Sequence, residues 1–313
     1  MEKEHLELVI AGAGPAGLGA AIYAARSALN FKVMDKFMAG GQIVTTEFIE
    51  NYPGFKGEVS GYDLMQEIIS HCRSLKINLV ESAAIENLSI KSKKNIRKIF
   101  KCQGDGFEIT ADSLIIATGA SPQRLAVKGE NEFIGRGISF CATCDGALYR
   151  DRDVMVIGGG NTAIQEALFL VKFARKVYVI HRRDSLRAVK SLQNKAFNSA
   201  GIEFIWDSVI EGFSGSEHLE SVSLRNVKTG KIQSMKIDGV FEYIGIKPNS
   251  ELVTGMVKLD EHGFIITDKY MQTSVPGIFA AGDVRNTPLR QVITAVADGA
   301  VAATYADRYL NGI

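Results

Sequence analysis

In Leu8-Val9-Ile10-Ala11-Gly12-Ala13-Gly14-Pro15-Ala16-Gly17, four apolar residues run straight into Gly-x-Gly-x-x-Gly. The same arrangement returns in Val154-Met155-Val156-Ile157-Gly158-Gly159-Gly160-Asn161-Thr162-Ala163, with alanine in the last small position. Each apolar run suits a buried parallel strand. Each is followed by a helical pattern, through Ala20, Ala21, Ala24 and Ala25 in the first copy and through Ala167, Leu168, Val171 and Ala174 in the second. A second apolar strand then follows, Phe31–Met34 and Lys176–Ile180. The first glycine allows the sharp strand-to-helix turn and the second lets the backbone approach a pyrophosphate. The third small residue lets the helix pack close to its strand, with N-terminal N–H groups aimed at the anion. The repeat therefore predicts an α/β chain with two Rossmann-like, doubly wound parallel-sheet domains, each binding a dinucleotide.

The ends of the second strands differ, and the difference assigns the ligands. Asp35 ends the first, roughly 20 residues after its fingerprint, where a carboxylate accepts hydrogen bonds from ribose hydroxyls. The second ends in His181-Arg182-Arg183-Asp184-Ser185-Leu186-Arg187, with no carboxylate in the matching place. Guanidinium groups there would gain charge-assisted bonds to a 2′-phosphate, which points to NADP(H). Leu114–Gly119 and Val240–Gly245 are strand-like segments ending in glycine, plausible points where the chain leaves one domain and enters the next. Gly277–Asp283 is a third, and its Asp283 beside Gly282 could hold a ribityl hydroxyl of a flavin. The expected organisation is a discontinuous FAD domain, 1–119 and 247–313, with an NADPH domain, 120–246, inserted in it.

Bulk composition agrees with such a protein. The chain has 313 residues, 46% hydrophobic and 23% charged, enough for two cores. Its 36 basic and 35 acidic side chains nearly cancel, which gives no support for nucleic-acid or membrane-surface binding. Met1–His5 is polar and a poor signal peptide, and the apolar stretch from Leu6 to Ala25 carries a charge, glycines and a proline. A cytoplasmic protein is expected.

Four cysteines are too few for a disulfide scaffold. Two of them form Cys141-Ala142-Thr143-Cys144, followed by Asp145. Thiols at this spacing can close a disulfide, and the arrangement commonly makes a thiolate available. Asp145 can take or give a proton as they cycle. Zinc would need about four ligands. Cys72 and Cys102 are isolated and the histidines show no paired spacing, so no metal site is expected. NADPH delivers two electrons, a dithiol gives up two, and a flavin exchanges with both.

The chain as a whole resembles the low-molecular-weight thioredoxin reductases. The matching pieces are GAGPAG (12–17), GGQ (40–42), ENYPG (50–54), ATGA (117–120), CATCDG (141–146), GGGNTA (158–163), HRRD (181–184), PGIFAAGDV (276–284) and RQ (290–291). The resemblance implies thioredoxin-disulfide reductase activity with FAD and NADPH, domain rotation between half-reactions, and a homodimer. It implies that Gly12, Gly14, Pro15 and Ala16 line the FAD pyrophosphate. Asp35, Lys36, Gly40, Gly41 and Gln42 would follow its ribose and flavin, with Asn51 near the ring. Gly119, Gly282, Asp283, Arg290, Gln291 and Val292 complete the expected FAD set. Gly158, Gly160, Asn161, Thr162 and Ala163 would meet the NADPH pyrophosphate, and His181, Arg182, Arg183 and Arg187 its 2′-phosphate. Cys144 would face the flavin, Cys141 the partner disulfide, and Asp145 would be the acid/base. Ala147-Leu148 departs from the bulkier aromatics common in relatives, which leaves open a different partner: a glutaredoxin-like protein, a peroxidase subunit, ferredoxin as donor, or O₂ as acceptor. The chain ends Tyr309-Leu310-Asn311-Gly312-Ile313 without a cysteine, unlike the large animal-type reductases.

Overall fold

A computed structural model describes residues 3–46, 49, 51–57, 59–91 and 98–313. They fall into two compact units: Met1–Val44, Ser60–Ser121 and Lys247–Ile313 form one, Thr45–Val59 and Pro122–Ile246 the other. The described residues between 45 and 59, Asn51 among them, thus group with the second unit, although the sequence places them inside the expected FAD domain.

In the first unit, strand β1 (Lys3–Ala11) leads into helix α1 (Pro15–Arg26) and strand β2 (Phe31–Met34). Helix α2 (Gly61–Ser74) and strand β3 (Leu79–Val80) follow, then the antiparallel run β4 (Asn87–Lys91), β5 (Ile99–Gly104) and β6 (Phe107–Ile116). Ser60 caps α2 by accepting the Asp63 N–H at 2.9 Å. The chain leaves through β7 (Ala120–Pro122).

The second unit contains α3 (Glu130–Phe133), β8 (Ile138–Ser139) and α4 (Ala142–Asp145). Next come β9 (Asp153–Ile157), α5 (Asn161–Leu170), β10 (Lys176–Ile180), α6 (Lys190–Phe197) and β11 (Ile202–Ile205). Three antiparallel strands, β12 (Ser208–Gly215), β13 (Leu219–Asn226) and β14 (Ile232–Lys236), precede β15 (Gly239–Glu242). The return crossing is β16 (Ile246–Pro248), which pairs with β7. Strand β17 (Ile278–Ala280) and helix α7 (Val292–Asn311) then complete the first unit.

The internal repeat is visible in the sheets. Strands β3-β2-β1-β6 lie in that order, with β17 on the far edge of β6 and parallel to it, and β5-β4 extending β6 antiparallel. The second unit's parallel sheet runs β11-β10-β9-β15-β8. In each, the fingerprint strand lies in the sheet interior with its second strand on one side and a late-arriving strand on the other.

Alternation along these strands loads both faces. In β1, Leu8 and Ile10 pack with α1, α2 and α7, while Val9 and Ala11 pack with Phe100, Leu114 and Ile278 on the other face. In β9, Val154 and Val156 meet the helix side, and Met155 and Ile157 meet Phe213, Val222 and Leu224 of the antiparallel strands. The helix after the second fingerprint stops at Leu170, short of the expected Ala174. Backbone N–H groups of Phe173 and Ala174 turn back on Leu170 O at 2.9 Å, and Arg175 is claimed by Arg152 O at 2.9 Å as β10 begins. Among the described residues no helix is long and apolar enough to cross a membrane.

Candidate active site

In the first unit, four segments meet at the N-terminus of α1. Gly12 has φ +108°, and a Cβ there would collide with Ala117 O at the end of β6. A Cβ on Gly17 would collide with Gly12 O. Gly14 caps the helix and supplies no side-chain bond to its N–H groups, and Pro15 sits in the first turn. The Asp35 carboxylate accepts the Ala13 N–H at 2.6 Å and the Phe37 N–H at 2.8 Å, tying the end of β2 to the turn. Gly40, with φ +130°, donates to Ala13 O at 2.9 Å. Gly282, with φ +75°, lies where a Cβ would come within 2.8 Å of Ala16 Cβ.

The remaining expected FAD residues lie in the same unit, except Asn51. Lys36 is exposed and stacks on the Phe37 ring, and the Gln42 side chain donates to Ala120 O. Gly119 has φ +70° and accepts the Asn249 N–H at 3.0 Å. Asp283 is pushed up to about 6 by burial, against the pull of Arg290. Arg290 stacks 4.4 Å from the Phe264 ring centroid, and its buried Nε has no hydrogen-bond partner among the described residues. Gln291 caps α7, reciprocally with Thr294, directly before Val292. Glu50 of the ENYPG motif lies outside the described residues. An uncapped helix N-terminus, glycines that cannot carry a side chain, and an orphaned guanidinium nitrogen beside a buried carboxyl fit an FAD.

The second fingerprint is built likewise. Gly158 has φ +145°, and a Cβ there would lie 2.5 Å from Tyr243 O. Gly160 faces open space and caps α5, again with no side-chain bond. Asn161 and Thr162 are exposed, and Ala163 is buried under the turn. The basic segment folds back onto this turn: Arg187 and Ala188 donate to Gly159 O at 2.7 and 3.1 Å, and the Asn161 side chain accepts the Val189 N–H at 2.8 Å. His181 is buried against Gly159, where burial and then the charges of Arg187, Arg182 and Arg183 hold its pKa down. The three arginines are exposed, and among the described residues none is ion-paired. Asp184, the acid in their midst, is engaged by Lys228 at 3.1 Å. An open glycine turn under three unneutralised guanidiniums fits NADPH and its 2′-phosphate.

The redox pair lies in this same unit. Cys141 and Cys144 form a disulfide with Cα atoms 5.3 Å apart, and both are partly exposed. Cys141 is the N-cap of α4, and its Sγ accepts the Cys144 N–H at 3.2 Å. Ser139 Oγ accepts the Cys141 N–H at 3.0 Å and donates to the Asp145 carboxylate. Ser139 thus orients both a redox residue and the expected acid/base. Sequence reasoning passed over it because a serine two positions before a cysteine carries no signature. The other two cysteines are fully buried, which pushes the Cys72 thiol up to about 11 and the Cys102 thiol up to about 12. They are inert at neutral pH.

Known proteins bear on this arrangement. The thioredoxin reductase of Peptoclostridium acidaminophilum is 42% identical over 311 residues, 97% of each chain. A Clostridium pasteurianum protein described as a 34.2 kDa protein in the rubredoxin operon is also 42% identical, over 99% of each chain. The crystal structure of thioredoxin reductase from Streptococcus pyogenes covers all of both chains at 40% identity, with a TM-score of 0.92. The family model for pyridine nucleotide-disulphide oxidoreductases matches residues 6–299, nearly the whole chain. A match of that extent, on a chain that retains both nucleotide turns and the disulfide, makes this protein a member of the pyridine nucleotide-disulphide oxidoreductase family.

Proposed function

We propose that the protein is an NADPH-dependent thioredoxin-disulfide reductase. The observation that carries this reading is the partly exposed Cys141–Cys144 disulfide, with Asp145 directly after it and Ser139 bonded to Cys141 and to Asp145. The Gly12–Ala16 turn with Asp35, Asp283 and Arg290 would hold FAD, which would supply the two-electron relay between NADPH and a disulfide that no side chain can provide. The chain's own residues do the rest. When the pair is reduced, the Asp145 carboxylate takes the proton of the Cys141 thiol, and the resulting thiolate attacks the partner's disulfide to form a mixed disulfide and releases one partner thiolate. That thiolate takes a proton from Asp145. Cys144 then attacks Cys141 Sγ, frees the second partner thiol and re-forms the intramolecular bond.

The nucleotide is selected by Arg182, Arg183 and Arg187 around the 2′-phosphate, which argues against ferredoxin as donor. Because the second unit carries both the NADPH fingerprint and the disulfide, hydride delivery and disulfide reduction at one flavin exclude each other, and a rigid rotation of that unit alternates them. The working form is a homodimer in the cytoplasm.

The test is steady-state NADPH oxidation with and without oxidised thioredoxins, assayed one at a time. Thioredoxin-dependent turnover is expected, lost on Cys141→Ser or Cys144→Ser while NADPH still reduces the bound FAD. Equal oxidation without any thioredoxin would replace this reading with an O₂-accepting dithiol oxidase.

A further inference from the structure

Tyr243 directly follows β15, within the Val240–Gly245 segment, and is given no part in either nucleotide fingerprint or in the cysteine pair, yet it touches the second fingerprint and the pair. Its N–H donates to Ile157 O at 2.8 Å, at the end of the fingerprint strand, and its carbonyl is the atom that forbids a side chain on Gly158. Its side chain turns the other way. The phenol oxygen accepts the N–H of Ala142, between the two cysteines, at 2.6 Å. The ring packs in the core that holds Ala142 and Ala163. Two carboxyls, Asp145 on α4 and Glu166 on α5, act on the phenol; burial first, and then these two, hold its ionisation well above the usual range. It is therefore a neutral donor with one proton to give. Glu166 Oε2 is buried with no hydrogen-bond partner among the described residues, and burial raises its carboxyl.

We propose that Tyr243 is a positioning residue for thiol–disulfide exchange: its phenol holds the Ala142 amide while the sulfur–sulfur bond opens and closes, and its O–H tempers the field of Asp145 and Glu166 on the cysteines. The proposal rests on the reading of Cys141, Cys144 and Asp145 given above. A four-residue helix cannot hold its own shape, and the Ala142 N–H is one of its unpaired N-terminal donors. Without the phenol that amide is left buried and unsatisfied. Without the O–H, negative charge on the two carboxyls acts undiminished on a developing thiolate and disfavours it. The groups acting on the phenol are the Ala142 N–H and Asp145 from α4 and Glu166 from α5.

The experiment uses the full-length holoenzyme reduced with a phosphine, and follows iodoacetamide alkylation of Cys141 and Cys144 against pH by mass spectrometry. Cys72 and Cys102 contribute no background, being fully buried. Tyr243→Phe is expected to raise the pH midpoint by about half to one unit and to slow thioredoxin reduction about tenfold. Glu166→Gln, which removes a charge but keeps the shape, is expected to lower the midpoint. A Tyr243→Phe profile superimposable on the unmutated one overturns the proposal; if that variant does not fold, an unmoved Glu166→Gln midpoint overturns it instead. Asp145→Asn separates the two readings. If it lowers the midpoint while Tyr243→Phe changes nothing, only the Tyr243 proposal falls; if it changes neither alkylation nor turnover, the acid/base reading of Asp145 falls.

Discussion

Burial, and then the charges of Arg187, Arg182 and Arg183, hold down the pKa of His181, so the positive charge offered at this site is that of the exposed guanidiniums. One or two charge-assisted contacts to a 2′-phosphate are worth about 2.7 kcal/mol together, or roughly a hundredfold in kcat/KM for NADPH over NADH. Replacing Arg182 and Arg183 with alanine is expected to erase most of that preference by raising the KM for NADPH, with the NADH constants nearly unchanged. Steady-state kinetics with both nucleotides checks it. A second residue-scale expectation concerns a carboxyl pair outside the redox site. Glu242 and Glu130 are 3% and 2% exposed, and Glu130 accepts the Leu125 and Ala126 N–H groups at 3.0 and 2.6 Å. Burial, then the neighbouring Glu130, push Glu242 up to about 8. Because its folded value is raised, the stability it allows is complete below the ordinary carboxyl range and is lost as pH rises through about 8, on the order of 2–4 kcal/mol. Glu242→Gln is expected to flatten that loss, so that melting temperatures diverge from the parent's at pH 8.5 and converge near pH 4.5. None of this was legible beforehand: Glu242 sits in a strand of apolar neighbours, and its pairing with Glu130 exists only after β15 and α3 are folded together. The arginines and the cysteine pair were legible because their chemistry depends on near neighbours in the chain.

Helices α1 and α7 show how little room an element-level contact leaves. Gly19 and Gly299 let the two approach so closely that a Cβ on Gly299 would collide with Ala16 O, and one on Gly19 would lie 2.8 Å from Val296 O. Gly299→Ala sets two effects against each other. Alanine gains about 1 kcal/mol of helix propensity over glycine. Forcing the backbones apart costs typically 1–3 kcal/mol, and it does so beneath the turn that Asp35 and Gly282 hold in place. The steric term is expected to win, lowering the melting temperature and the FAD retained on purification; a variant as stable and as yellow as the parent would contradict this. At this scale the sequence was readable where spacing is local. The strand–turn–helix of each fingerprint follows from four apolar residues and three small ones. The extension of α5 to Ala174 was misread because Val171 and Ala174 continue a helical pattern, while the backbone bonds that end it come from the turn's own carbonyls and from Arg152. The antiparallel strands β12–β14 were not anticipated, since alternation in Ser208–Gly215 and Leu219–Asn226 is broken by register shifts at Ile210/Gly212 and Ser214/Gly215, and Ser208 lies buried at the start of the first.

The two units meet the chain differently, and that matters at the scale of the molecule. A covalent cross-link between the units is expected to abolish steady-state turnover while sparing one half-reaction, flavin reduction by NADPH or electron exchange between flavin and dithiol, according to the arrangement trapped. Stopped-flow absorbance separates the two, and normal turnover by the cross-linked enzyme would show that no rotation is needed. The inserted organisation has another consequence, for synthesis. Apart from residues 45–59, the second unit is one continuous run of chain that ends at residue 246. The first is split, and its sheet and its closely packed helix pair wait for β17 and for α7, which ends at Asn311. On a ribosome delivering roughly 5–20 residues each second, the disulfide-bearing unit emerges whole while its neighbour is still missing an edge strand and a wall. For several seconds the nascent chain carries a finished thiol pair and no place to seat a flavin. Flavin capture is therefore among the last events of biogenesis, and a ribosome stalled shortly before residue 278 would display a thiol-bearing protein unable to receive electrons.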